Sequence, residues 1–85
     1  PMLAELPVGK VQKDPKTRLQ EWLQGRQLPR PDYRLVETRG DDHARVFRVS
    51  CETRDPALAE EAEAGSLRAA EQAAAERLLS RLETP

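Results

Sequence analysis

Gly65-Ser66-Leu67-Arg68 opens a run to Leu82 that reads as a helix whose first turn can meet a phosphate. Ser66 follows a glycine and can cap the helix by accepting a bond from a free backbone N–H. A helix N-terminus carries roughly half a positive elementary charge and several unpaired N–H donors. Arg68, in that first turn, adds a full charge. Ala70, Ala74, Ala75, Leu78, Leu79 and Leu82 recur at helical spacing and form one apolar stripe. Small alanines at the start let the helix lie close to a sheet, and the leucines fill the wider space beyond. Taken alone, the same pattern describes an amphipathic packing helix that binds nothing.

The elements that must position this helix are written in the rest of the chain. Eighty-five residues make one small domain, which can bury only about 60–65% of its unfolded surface. Hydrophobic residues are 38% and charged residues 34%, the mix of a globular domain with a polar face. Trp22, Tyr33 and Phe47 are the aromatic residues, expected in or at the edge of the core. No apolar run approaches the roughly 18 residues of a membrane span, and no secretory signal pattern opens the chain. The single Cys51 excludes an internal disulfide and fits a reducing, cytosolic setting. It reads as a buried strand residue, since no activating partner is evident. Net charge is −1, which argues against generic attraction to polyanions. The signs are uneven, however: Lys10, Lys13, Lys16, Arg18, Arg26, Arg30, Arg34 and Arg39 dominate the first half. Any contact with nucleic acid must therefore be positional.

Residues 1–13, with Pro1, Pro7 and Gly9, read as a linker or the tail of a preceding domain, and 14–83 as the folded domain. Asp14-Pro15 is a helix start: aspartate caps, and proline suits the first helical position. The helix runs to about Gln24 with Leu19, Trp22 and Leu23 on one face, and Gly25 is the expected stop. Leu28-Pro29-Arg30-Pro31 then runs extended. Tyr33–Thr38 alternates, with Tyr33, Leu35 and less cleanly Glu37 on one side. Arg39–His43 is a turn by composition, and Ala44–Cys51 alternates well, which makes an antiparallel hairpin. Arg54–Ala64 is rich in alanine and glutamate, which favour helix over strand. Its periodicity is ambiguous, and Pro56 permits either a turn or a helix start.

Four blocks now stand in order: Asp14-Pro15-Lys16-Thr17-Arg18-Leu19-Gln20-Glu21; Pro31-Asp32-Tyr33; Gly40-Asp41-Asp42-His43 with Phe47; and Gly65-Ser66-Leu67-Arg68 with Ala70-Glu71-Gln72-Ala73-Ala74-Ala75. Over residues 12–83 the chain resembles the double-stranded RNA-binding domain, and more closely the C-terminal domain of bacterial ribonuclease III. The resemblance implies an α+β fold of order α-β-β-β-α, two helices on one face of a three-stranded antiparallel sheet. On that ground a third strand is expected at roughly 57–63. The resemblance also implies binding across two successive minor grooves and the intervening phosphates, over about 16 base pairs and with little sequence preference.

The resemblance gives each block a role. Thr17, Gln20 and Glu21 share one helical face and would bond 2′-hydroxyls or base edges. Gly40 and His43 would enter the second minor groove, with Arg45 helping from the second strand. Ser66, Leu67 and Arg68 would meet the phosphates. Two departures matter: Asp41 stands where the family often has proline, and Leu67 where it places the first of two basic residues. Loss of one cation removes about one released counterion. No Cys or His stands at ligand spacing to His43, which argues against zinc.

Glu60, Glu61 and Glu63 read as a solvated acidic segment, so no catalytic or metal-binding residue is assigned. The resemblance implies that cleavage and its Mg2+ reside in a separate nuclease domain of the full-length protein. It further implies a cytoplasmic setting, RNA processing as the parent's role, double-stranded RNA as partner, no cofactor for this chain, and a monomeric isolated domain. A protein-interaction or dimer-supporting module on the same fold is the competing reading.

Overall fold

The computed structural model describes residues 13–84. The linker expected over 1–13 lies outside the described residues apart from Lys13. Helix α1 (Pro15–Gln24) is followed by β1 (Asp32–Arg39), β2 (Val46–Glu52), β3 (Ala59–Ala64) and α2 (Leu67–Glu83). The three strands form an antiparallel sheet in the order β1-β2-β3. Leu19 and Leu23 of α1, Cys51 of β2, Ala62 of β3 and Ala74, Ala75, Leu78 and Leu79 of α2 share one buried cluster. Both helices therefore cover the same face of the sheet. No described helix is long and apolar enough to cross a membrane.

Helix α1 starts as expected, with Asp14 accepting a 2.8 Å bond from the Thr17 amide and Pro15 in the first turn. It ends at Gln24 with Gly25 as its C-cap, as expected, but the glycine is not the left-handed residue. Gly25 keeps right-handed helical geometry, and the left-handed residue is Gln27, at φ 59°. The Leu28 amide bonds back to the Leu23 carbonyl and the Gln27 amide to that of Gln24, the paired bonds of a Schellman motif. Leu28 then packs on the core, so an apolar contact closes the turn that follows the Gly25 cap.

Strand β1 carries a bulge between Leu35 and Glu37. Tyr33 faces Cys51 and Leu35 faces Val49, but beyond the bulge Glu37 faces Arg48 and Thr38 faces Phe47. Glu37 thus leaves the side it would share with Tyr33 and Leu35. The extra residue turns a carboxylate away from the helix-covered face, toward Arg39 at 3.6 Å and Arg48 at 4.0 Å.

β3 is a strand despite its composition. It runs from Ala59 to Ala64, slightly later than the expected 57–63, after a turn in which Thr53 Oγ1 donates to the Pro56 carbonyl at 2.7 Å. Ala62 and Ala64 pair with Val49 and Phe47, beneath a helix whose own facing residues include the fully buried Ala70, Ala74 and Ala75. Small side chains on both surfaces allow close approach, and the packing overrides the local helix preference. On the other face, Glu63 takes bonds from Arg48 at 2.6 Å and Arg39 at 3.0 Å. Glu60 pairs with Arg81 at 2.7 Å and Arg77 at 3.7 Å. The acidic segment is therefore a ladder of ion pairs and not a bare solvated run.

Hydrogen bonds from Arg39 and then Arg48 hold the Glu63 carboxyl down at about 2, against an ordinary 4.5. A folded-state pKa below the unfolded one gives stability that is present above pH 4.5 and lost as pH falls toward 2. Glu63→Gln is expected to flatten that part of the acid unfolding profile, followed by thermal melts at stepped pH. An unchanged slope between those limits would refute the linkage.

Cys51 is fully buried, and desolvation pushes its thiol up to about 11. Such a thiol is a packing group and not a nucleophile at neutral pH. Trp22, Tyr33 and Phe47 are all half-buried, and Trp22 and Tyr33 pack against this core.

Candidate nucleic-acid interface

At the start of α2, Ser66 is extended (φ −143°, ψ 158°) and its hydroxyl accepts the Ala69 amide at 3.1 Å. The amides of Leu67 and Arg68 have no carbonyl one turn back, so they remain available as donors. Helix α1 is fastened beside this end. The Lys16 amide donates to Gln72 Oε1 at 3.0 Å, and Lys16 Nζ to Glu71 Oε1 at 2.8 Å. That clamp places Thr17 and Gln20 of α1 around one open concavity with Leu67 and Arg68 of α2. Two of the three expected patches are thus a single surface.

Glu21 does not line that concavity. Its carboxylate is gripped by Lys13 at 2.7 and 3.0 Å, and both side chains are about half exposed, at 57% and 49%. Such a pair is worth little, so it leaves Glu21 able to exchange partners.

The third patch is the loop between β1 and β2. Gly40 has φ +93°, and a Cβ there would lie 2.1 Å from the Ala44 carbonyl oxygen. Asp41 is exposed but organises the loop. Its Oδ1 accepts the amides of His43 and Ala44, each at 3.0 Å. Arg45 departs from expectation: it precedes β2 and donates to Asp42 at 3.0 Å. One acid therefore builds the loop and the other is matched by a neighbouring cation, while the His43 side chain is left exposed. Gly40→Ala is expected to cost about 1–3 kcal/mol, because left-handed strain and the backbone clash act together. Urea unfolding measures it, and a cost below about 0.5 kcal/mol would mean the loop rebuilds freely.

The sheet register relates this loop to the helices. Arg39 pairs with Val46 and Ala64 pairs with Phe47. The Gly40–Arg45 loop and the Gly65–Arg68 segment therefore leave the same end of the sheet. At that level they are separated by one to two strand spacings, about 5–10 Å.

Charge is distributed differently from the sequence order. Arg34 pairs with Glu52, Arg39 with Glu63, Arg18 with Glu83 and Arg54 with Asp32. Arg26 lies over the Trp22 ring at 3.7 Å. Among the described residues, Arg30 and Arg68 are the arginines with neither a carboxylate nor an aromatic partner. In the sequence Arg30 is only one basic residue among eight, and its setting between two prolines is the one signal that sets it apart. No cluster of three or more His, Cys, Asp and Glu side chains that could hold a metal ion occurs among the described residues.

Known proteins are similar in sequence and in fold. Residues 15–82 match the family model described as "Double-stranded RNA binding motif". Ribonuclease 3 of Xanthomonas oryzae pv. oryzae is 52% identical over 82 residues, covering 96% of this chain and 36% of that protein. Ribonuclease 3 of Alkalilimnicola ehrlichii is 53% identical over 81 residues, covering 95% and 36%. The chain spans about a third of the length of these curated relatives. A solved structure of Arabidopsis HYL1, reported for its implications in miRNA processing, aligns with a TM-score of 0.68 and 33% identity, covering 80% of this chain and 94% of that one. The matched span begins in the first turn of α1 and ends in the last turn of α2, and so takes in every element of the fold; the chain belongs to the double-stranded RNA binding motif family.

Proposed function

We propose that this chain binds double-stranded RNA with little sequence preference, as the substrate-binding domain of a ribonuclease III-like endoribonuclease. The observation that carries this reading is the joining of Thr17 and Gln20 to Leu67 and Arg68 on one concave surface. A-form RNA offers a wide minor groove of 2′-hydroxyls and a deep groove flanked by phosphates. The hydroxyl of Thr17 and amide of Gln20 suit the first. The free amides of the α2 N-terminus, with Arg68, suit the second. The Gly40–His43 loop leaves the same sheet end and supplies a second reach along the duplex, with Arg45 and Ser66 supporting their neighbours and Glu21 accepting a 2′-hydroxyl proton.

Binding is the whole task of residues 14–83 in this reading. Cleavage of structured RNA, with Mg2+, is assigned to a nuclease domain joined to this one in the parent protein, acting in the cytoplasm. The isolated domain works as a monomer. A dimer-supporting role is favoured by the exposure of Leu67, and of Leu35 and Val36 on β1.

The test is a titration with a 20-base-pair RNA duplex beside DNA of equal length. RNA is expected to bind more tightly, and Gln20→Ala to weaken RNA binding more than DNA binding, because only RNA carries the 2′-hydroxyl. Equal losses would show that α1 senses charge alone. No binding to RNA, together with concentration-dependent self-association, would favour the dimer-supporting role.

A further inference from the structure

The concave surface between α1 and α2 has a neighbour across α1. Lys16 and Gln20, one turn apart, line a second concavity on their other side, with Arg30, Pro31 and Tyr33. The two concavities adjoin across those shared side chains, with Arg68 lining the first and Arg30 the second. Lys16 does not provide the free charge of this second concavity. Its ammonium is 2.8 Å from Glu71 and 4.8 Å from the centre of the Tyr33 ring. Arg30 is exposed and has no carboxylate partner among the described residues. Pro29 and Pro31 fix their own φ and bias the residue before each to extended backbone. Little backbone freedom is left to lose on binding there.

We propose that Arg30 is a backbone-phosphate contact that lengthens the RNA footprint at the α1 end; the inference rests on the duplex-binding reading above. The strand register supplies the direction. Asp32 pairs with Glu52 at one end of the sheet and Arg39 with Val46 at the other. Arg30, just before Asp32, therefore lies at the end opposite the Gly40–Arg45 loop. With the loop at one extreme and Arg68 near it, a cation at the other extreme meets a phosphate that none of the other patches reaches. It restores by a different route the counterion release that Leu67 does not provide.

The experiment measures duplex RNA affinity for the whole 85-residue chain between 50 and 200 mM salt. Arg30→Gln is expected to reduce the salt slope by about one and the affinity about tenfold. Arg30→Lys should keep the slope, since a phosphate contact needs the charge. Arg34→Gln, on the opposite sheet face and paired with Glu52, should keep both. A wild-type slope and affinity in Arg30→Gln overturn the proposal while leaving duplex binding intact. A slope lost equally in Arg34→Gln overturns it too, by showing a diffuse charge effect. If Arg30→Gln lowers the melting temperature and Arg30→Lys does not restore the slope, Arg30 is structural. If the unaltered chain binds no RNA, both readings fall together.

Discussion

Arg68→Glu is expected to weaken duplex RNA binding about 100-fold or more while leaving the melting temperature nearly unchanged. Arg68 is exposed and has no carboxylate partner among the described residues. Its removal breaks no ion pair and takes from the fold only its attraction for the nearby Asp14 carboxylate, the smallest of the influences that hold that group down. A carboxylate in the first turn of α2 is in fact favoured by the helix macrodipole. The same carboxylate would stand beside the free Leu67 and residue-68 amides, where the proposal places a phosphate. Losing a charge-assisted bond costs about 1.5–3 kcal/mol, and like-charge repulsion adds to it. At about 1.4 kcal/mol per tenfold, the sum reaches two decades. The check is a salt-controlled titration beside a thermal melt of the same sample. A collapse in stability would make Arg68 a structural residue, and unchanged affinity would move the phosphate contact away from α2.

Leu19→Ala is expected to unfold a substantial fraction of the domain at ambient temperature. Leu19 is fully buried and joins α1 to Leu78, Leu79 and Cys51 in the shared core. A leucine-to-alanine change in such a site costs about 2–5 kcal/mol, against a total on the order of 5 kcal/mol for small domains. The melting temperature should fall by about 10–30 °C. RNA binding should be lost with it, because Thr17 and Gln20 are placed only while α1 stays on α2. Excess duplex RNA should recover part of the melting temperature by mass action. A drop under about 5 °C would mean that α1 is not fastened through Leu19.

Several features are legible in the sequence because one residue's chemistry suffices to write them. Asp14-Pro15 and Ser66 each meet a local need, the unpaired amides of a helix start, and both caps stand where the sequence places them. The alternation of β2 and the alanine-leucine stripe of α2 are equally plain, since each keeps the period of its own element. The end of α1 is legible only in part. Gly25 is the C-cap where the sequence places it, but the left-handed turn falls at Gln27, because Leu28 has a core to join. Glu37 departs from its expected side for a similar reason: a bulge inserts no unusual residue, and only the cost of turning a carboxylate inward selects it.

The candidate site divides along the same line. The family resemblance marks Thr17, Gln20, Glu21, Gly40, His43, Arg45 and the Ser66–Arg68 turn, while the residue types alone offer a capping serine, a turn glycine and a polar helix face. Which charges remain available is decided by tertiary structure. Ion pairing depends on neighbours far apart in the chain, as in Lys16 with Glu71 and Arg39 with Glu63. Chain order shows eight cations before residue 40, but folding engages most of those described with partners and leaves Arg30 to stand with Arg68. Electrostatics sums over space, not over sequence, and so the surface that could meet a polyanion exists only once the helices have packed.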